Sequence, residues 1–424
     1  MNSVKITDVV VTRSRITCSC EAQGEWAKYF TGEQFFAEYD EDISSMPKSV
    51  AVIPILGTII PLAFIFDGEV VLDEIDKDFY NAIPKFKQGY IDMYPHMTFG
   101  SKITVNKIIE NPSQGSKSAI FFSGGVDAFN TLITHLAERP ALITVWGADV
   151  KTQNADGWMP VKNHIQQTAR EFNLDSVVIK TSFRTIIDED KVGNLIFPKA
   201  GDHWWHGFHH GVGIISLAAP LAYVLGISNL YIASSYTIAE KGKNTCASDP
   251  TIDNFVRFCG CQTIHDGYEF TRQEKVHRIC GFMAKTKHKL PLRVCWRSEK
   301  GDNCMKCEKC FRTMVAIIAE KQDPRDYGFN YTVKELNRLV KDIKAYPYNY
   351  IDAIVIPGLE SVQSKLRESY TETSLSEAGF GMLEWFYKVD LRKLKTTPGI
   401  FYRSYRFGLR CLCFVVRRLK GVVK

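Results

Sequence analysis

Two familiar phosphate-binding fingerprints are missing from this 424-residue chain. It has no G-x-x-x-x-G-K-[ST] and no G-x-G-x-x-G at the end of a strand-like run, which removes the usual P-loop and dinucleotide-binding readings. Fixed-period repeats and low-complexity tracts are also absent, so solenoids and disordered scaffolds fall away. The first twenty residues, MNSVKITDVVVTRSRITCSC, alternate apolar and polar side chains like a strand. They lack the apolar core and cleavage site of a secretory signal. Long uninterrupted apolar runs are lacking too. Residues 50–66 are broken by Pro54, Gly57 and Pro61, and residues 211–239 by Pro220, Gly226 and the Ser228-Asn229 pair. Both read as buried core rather than membrane spans. Finally, no acid follows Asp390, where ten Lys or Arg fall. With a net charge of +6 overall, the first 390 residues therefore carry −4.

What is present describes a folded protein. Hydrophobic residues make up 45% and charged residues 24%, and the length suits two or three domains. Residues 1–110 read as short strands with turn punctuation (VKITDVVVT, RITCSCEA, SVAVIPI, TIIPLAFIF, GEVVLDE), a β-rich accessory domain. From Ser118 strands and helices alternate: SAIFFS, DAFNTLITHLAE, ALITVWG, MPVKNHIQQTAREFN, SVVIKTS, the long apolar helix from Trp204, NLYIASS, TRQEKVHRICGFM, LPLRVCW and EKCFRTMVAIIAEK. Such alternation predicts a parallel sheet with crossover helices, all strand C-termini lying on one rim where ligands bind. This α/β domain spans 111–325. Residues 326–390 form a helical cap and 391–424 a basic amphipathic tail.

The stretch FFSGGVDAF ends a strand at a double-glycine turn and starts a helix at once. Two glycines admit positive φ and close backbone approach, so Ser123, Gly124, Gly125 and Val126 can turn successive N–H groups toward an anion. The helix start adds its positive end. Asp127 would repel phosphate unless a divalent cation such as Mg²⁺ lay between them; its other reading is the helix N-cap.

Downstream, Cys295, Cys304, Cys307 and Cys310 are spaced C-x8-C-x2-C-x2-C. Four thiolates this close suit a closed tetrahedral Zn²⁺, structural because no coordination position stays open. An iron–sulfur cluster is the alternative. The remaining C-x-C pairs, Cys18/Cys20, Cys259/Cys261 and Cys411/Cys413, read as strand packing.

Together the two signals, over residues 115–320, resemble the PP-loop ATP pyrophosphatase (adenine nucleotide alpha-hydrolase) superfamily, whose motif is S-G-G-x-D-S. Ala128 stands here in place of the last serine. The cysteine spacing is similar to that of 7-cyano-7-deazaguanine synthase. A β-rich N-terminal region also accompanies the PP-loop domain in the ATP-dependent muramoyl-L-alanyl-glutamate epimerase. The resemblance implies a Rossmann-like (HUP) PP-loop domain that uses ATP and Mg²⁺, adenylates a substrate carboxylate or carbonyl oxygen and releases pyrophosphate. A second step of amidation, epimerisation or ligation would follow.

On the same rim, Trp146, Gly147, Ser234 and Ser235 end strands, and His206 and Asp249 lie on the segments that follow; these are candidate nucleotide contacts. Arg272 and Lys275 open a helix and would meet departing pyrophosphate. The expected substrate is a small-molecule, cell-wall or sugar-nucleotide-type carboxylate in the cytoplasm. The basic tail offers contact with an anionic membrane surface, and an oligomer stays open. Nucleic acid is disfavoured, since no RNA-binding module is recognisable. Two rivals stand beside this reading: a tRNA-modifying PP-loop thiolase using a thiol such as Cys246, and a non-catalytic zinc-stabilised nucleotide-binding protein.

Overall fold

A computed structural model describes residues 2–112, 115–295 and 297–394. The basic tail expected at 391–424 lies almost wholly outside the described residues. The described residues fall into two compact units, one within 2–304 together with 324–329, the other 305–323 together with 330–394.

The first unit is built on one sheet of eleven strands. In chain order these are β1 (Ser3–Val11), β2 (Arg15–Gln23), β3 (Phe35–Tyr39), β4 (Gly68–Asp76), β5 (Ser101–Ile109) and β6 (Lys117–Phe121). Then come β7 (Ala141–Trp146), β8 (Ser176–Thr181), β9 (Ile227–Ala233), β10 (Arg257–Phe258) and β11 (Cys261–Asp266). The spatial order is β10-β11-β9-β6-β7-β8-β3-β2-β1-β4-β5. The block from β11 to β8 is parallel throughout. After β6 the chain moves one way through β7 and β8, then returns to the other side of β6 as β9. That reversal puts the sheet's switch point at the carboxyl ends of β6 and β9, the position where open α/β sheets bind ligands. The fold is α/β with a mixed, mostly parallel sheet, compatible with a Rossmann-like architecture.

The β-rich stretch at 1–110 and the domain at 111–325 share this sheet, because β3 pairs antiparallel with β8 through Ala37 and Thr181. Two of its expected strands are helical. SVAVIPI and TIIPLAFIF fall in the helices Lys48–Ala51 and Ile53–Phe66. A run buried on every side has no amphipathic period, so β-branched content misleads there. Gly57 lets this helix meet the helix His210–Ser216 closely; a Cβ would lie 2.0 Å from Ser216 Oγ. Among the described residues of LPLRVCW, 290–295, no strand forms either. Leu292 N–H donates to Tyr327 O (2.8 Å) and Val294 N–H to Asn303 Oδ1 (2.9 Å), so loop and side-chain acceptors replace a ladder. The apolar helix from Trp204 is segmented into a π turn, Trp205–His209, and the helices His210–Ser216 and Ala219–Leu225. Among the described residues only Trp205–Leu225 is long and apolar enough to cross a membrane, and most of it is buried within the fold.

The second unit is helical. Gly358 lets the helix Ile356–Ser369 approach the helix Glu308–Ala319, since a Cβ there would lie 2.7 Å from Arg312 Nη1. Arg312 pairs with Glu308 at 2.8 Å, Phe311 meets Phe386 edge-on at 5.3 Å, and Gln363 Nε2 donates to Val389 O at 2.8 Å.

Candidate active site

β6 delivers the chain into the turn at the switch point. Gly124 adopts φ 78°, a conformation natural to glycine, and Gly125 is the N-cap of the helix Val126–His135. Asp127 is therefore in the first helical turn and is not the cap. The turn is held from outside by Arg293, whose backbone N–H donates to Gly124 O (2.7 Å) and whose Nη1 reaches Ser123 O (3.4 Å). His164, from the helix Ala155–Phe172, closes the other side; a Cβ on Gly124 would lie 2.3 Å from its Nε2. That nitrogen is sealed from solvent and has no hydrogen-bond partner. Burial, reinforced by the Arg293 charge, pushes the imidazole down to about 4, so it is neutral at physiological pH. Ala128 is buried in the core.

Three predicted residues meet beside the turn. Asp127 Oδ2 accepts from Arg272 Nη1 at 2.6 Å and its Oδ1 from Lys275 Nζ at 3.2 Å. Lys275, 2% exposed, also donates to Ser234 O at 2.6 Å, tying the end of β9 to the end of β6. Arg272 and Lys275 are placed by a reciprocal cap, in which Thr271 and Glu274 satisfy each other's backbone N–H groups at the start of the helix Arg272–Thr286. Arg272 and Lys275 thus bring two cations to the first turn of the helix Val126–His135, with Asp127 between them and Asp266 also acting on Lys275. Both Asp127 oxygens already have cationic partners. Those two contacts compensate the carboxylate charge.

The other rim candidates are distributed around this core. Ser235 is exposed beyond β9. Trp146 stacks on Trp158 (centroids 5.3 Å apart), carries Lys180 over its ring at 4.4 Å and donates from Nε1 to Lys151 O. Gly147 has φ 122° and passes Thr181 O so closely that a Cβ would lie 2.2 Å from it. Asp249 is the N-cap of the short helix Pro250–Asp253 and accepts from Thr251 N–H and Oγ1. Asp253 is fully buried against His265 Nδ1 (2.8 Å) and Ser248 Oγ (2.7 Å). His206 Nδ1 is gripped by both oxygens of Asp202 (2.8 and 3.0 Å), and its Nε2 lies 3.0 Å from the Tyr236 hydroxyl. Burial lowers its proton affinity, but hydrogen bonds to Asp202 and Cys246 outweigh that and hold the imidazolium up to about 10. Arg293 and His164 had no motif to mark them: one lies in a misread strand, the other is one polar position on an amphipathic helix.

The four cysteines converge. The sulfurs of Cys295, Cys304, Cys307 and Cys310 all lie within 4.8 Å of one another, and all but Cys304 are buried. A tetrahedral Zn²⁺ with Zn–S bonds of about 2.3 Å needs sulfurs about 3.8 Å apart, so the donor set fits after a small contraction. Met305 takes φ 52° to turn the chain, and Cys307 is the N-cap of the helix Glu308–Ala319, whose positive end favours thiolates. Asn303 braces the approach by donating to Leu292 O (2.7 Å) while accepting from Val294 N–H.

Comparison of the chain with family models, curated proteins and solved structures finds no match.

Proposed function

We propose that this protein is an ATP-dependent enzyme of PP-loop type that adenylates a substrate carboxylate and releases pyrophosphate. The observation that carries the reading is the glycine turn at the sheet's switch point with Arg272 and Lys275 converging beside it. The motif resemblance through Ser123, Gly124, Gly125 and Asp127 points the same way. Backbone N–H groups of the turn and the first helical turn would hold the phosphates. A carboxylate oxygen of the substrate attacks the α-phosphorus, a P–O bond forms, and the bond to the β,γ-unit breaks. Arg272 and Lys275 meet the charge that grows on departing pyrophosphate. Asp127, paired with both cations, sets their positions, and Mg²⁺ would arrive as the counter-ion of the nucleotide. His164 and Arg293 fix the shape of the turn. The cysteine cluster would hold a structural Zn²⁺, in keeping with a reducing, cytoplasmic setting.

Pyrophosphate release from ATP is the test, measured against a panel of simple carboxylates, cell-wall peptides and sugar-nucleotide acids. Release with at least one acid, lost in Lys275→Met, supports the proposal. No release with any acid, together with no thermal shift by ATP, overturns it.

A further inference from the structure

Past the end of β9 lies a series of proton-carrying side chains that phosphate binding does not use. The π turn Trp205–His209 carries His206. Both oxygens of Asp202 meet its Nδ1, at 2.8 and 3.0 Å, and Asp202 also accepts from Thr245 Oγ1 at 2.6 Å. Ala247 N–H donates to His206 O at 2.7 Å and anchors the turn from the same loop. A carboxylate only accepts, so Nδ1 carries its proton and Nε2 is the ring atom left to exchange one. Nε2 meets the Tyr236 hydroxyl at 3.0 Å. The two rings stand nearly perpendicular, at 78°, so they join edge-on through this hydrogen bond rather than by stacking. Tyr236 is half-buried, three residues past β9. Ser234 ties it to the proposed phosphate site, accepting from Lys275 at its carbonyl (2.6 Å) and donating from Oγ to Tyr236 O (2.7 Å).

Hydroxyl, imidazole and acid in series are the arrangement by which a hydroxyl is activated. The acid orients the ring, and the ring answers the charge left when the hydroxyl loses its proton. His206 keeps its proton at neutral pH, so Nε2–H donates to Tyr236 Oη and the imidazolium charge eases loss of the phenol proton. The titratable groups acting on the ring are Asp202 and Cys246; Tyr94 faces Asp202, and its hydroxyl donates to Gly207 O (3.1 Å). The strength of the base selects its partner. A phenol at about 10 lies close to an ammonium at about 10.4, so proton exchange between them costs little, whereas water at about 15.7 is out of reach.

We propose that Tyr236 is the general base of the second chemical step, taking the proton of an amine that attacks the acyl-adenylate. The amine nitrogen attacks the carbonyl carbon, a C–N bond forms, and the carbonyl–oxygen bond to the phosphoryl group breaks. The electron pair leaves with AMP, and the proton lost by nitrogen passes to Tyr236 Oη. His206 and Asp202 are positioning residues that act through this oxygen. The acyl donor rests on the adenylation reading above, whereas the activated phenol does not.

Nitration by tetranitromethane, mapped by peptide mass spectrometry, reads the phenol without ATP, because phenolate is the species that reacts. Followed as pH is raised, the rate at Tyr236 should level off about one pH unit or more below that at the exposed Tyr346, a tenfold difference in proton affinity. His206→Gln and Asp202→Asn should move the Tyr236 profile up by about one unit and leave the Tyr346 profile in place. A Tyr236 rate that levels off at or above the pH of Tyr346 in the wild-type protein overturns the proposal, whether or not the variants fold. In the second arm, ATP and the panel of acids are supplied with ammonia and with glycinamide. Amide product supports the step when Tyr236→Phe slows its steady-state formation about hundredfold more than the first-turnover release of pyrophosphate. Pyrophosphate without amide, or equal slowing of both phases, overturns it. No pyrophosphate at all strikes the adenylation reading and leaves the nitration result standing.

Discussion

Replacing Gly124 with alanine probes the turn on which the proposed site depends. Two costs can be worked out. A residue with a Cβ at φ 78° pays roughly 1–2 kcal/mol in the left-handed region. The new methyl would also lie 2.3 Å from His164 Nε2 and 2.6 Å from Cδ2, and the ring is packed in the interior. Overpacking of this kind costs about 1–3 kcal/mol. Gly124→Ala should therefore destabilise the fold by about 2–5 kcal/mol, a large part of a typical domain's total. The double variant Gly124→Ala/His164→Ala separates the two terms. Removing the ring relieves the overlap but not the φ strain, so a favourable coupling of about 1–3 kcal/mol is expected in the cycle. Urea denaturation followed by far-UV circular dichroism measures all four proteins. Wild-type stability in Gly124→Ala, or additivity within about 0.5 kcal/mol, would refute the reasoning.

Lys275→Met should weaken ATP binding about tenfold or more, read by isothermal titration, because it removes a buried cation next to the turn. It should also cost about 1–3 kcal/mol by leaving Ser234 O unpaired; unchanged affinity would count against the phosphate role. The purified protein should carry one zinc per chain by elemental mass spectrometry, fall well below that in Cys307→Ser, and lose thermal stability with a chelator. Iron with acid-labile sulfide would contradict the zinc assignment. His164 binds its proton only near 4 in the fold against an ordinary 6.5, so the unfolded chain takes up that proton first. Stability should thus fall as pH drops from 6.5 to 4, by about 3 kcal/mol from this group, and His164→Gln should flatten that limb. His206 has the opposite sign. Its stabilisation is present below 6.5 and is lost as pH rises toward 10, so His206→Gln should flatten the alkaline limb.

Some of this was legible in the sequence because it depends on short-range chemistry. The glycine turn after SAIFF, the reciprocal cap before Arg272 and the cysteine spacing are each written within sixteen residues or fewer. Strand–helix alternation likewise announced a parallel α/β core, since period and turn residues are local properties. The all-apolar segment 50–66 was misread as strands, because uniform burial erases the period that distinguishes helix from strand. LPLRVCW was misread because its N–H groups find partners in Asn303 and Tyr327.

The partners of the site were decided by tertiary structure alone. Asp127 reads locally as a cap or a metal ligand, and only the fold brings Arg272 and Lys275, some 145 residues away, to its two oxygens. His164 became the wall behind Gly124 only through helix packing, and His206 met Asp202 and Tyr236 only through the π turn that carries it. By itself the sequence determined what each segment can do, since backbone freedom, capping and ligand spacing are local. Which charges face each other depends on chain reversals across the sheet, and no local pattern encodes those.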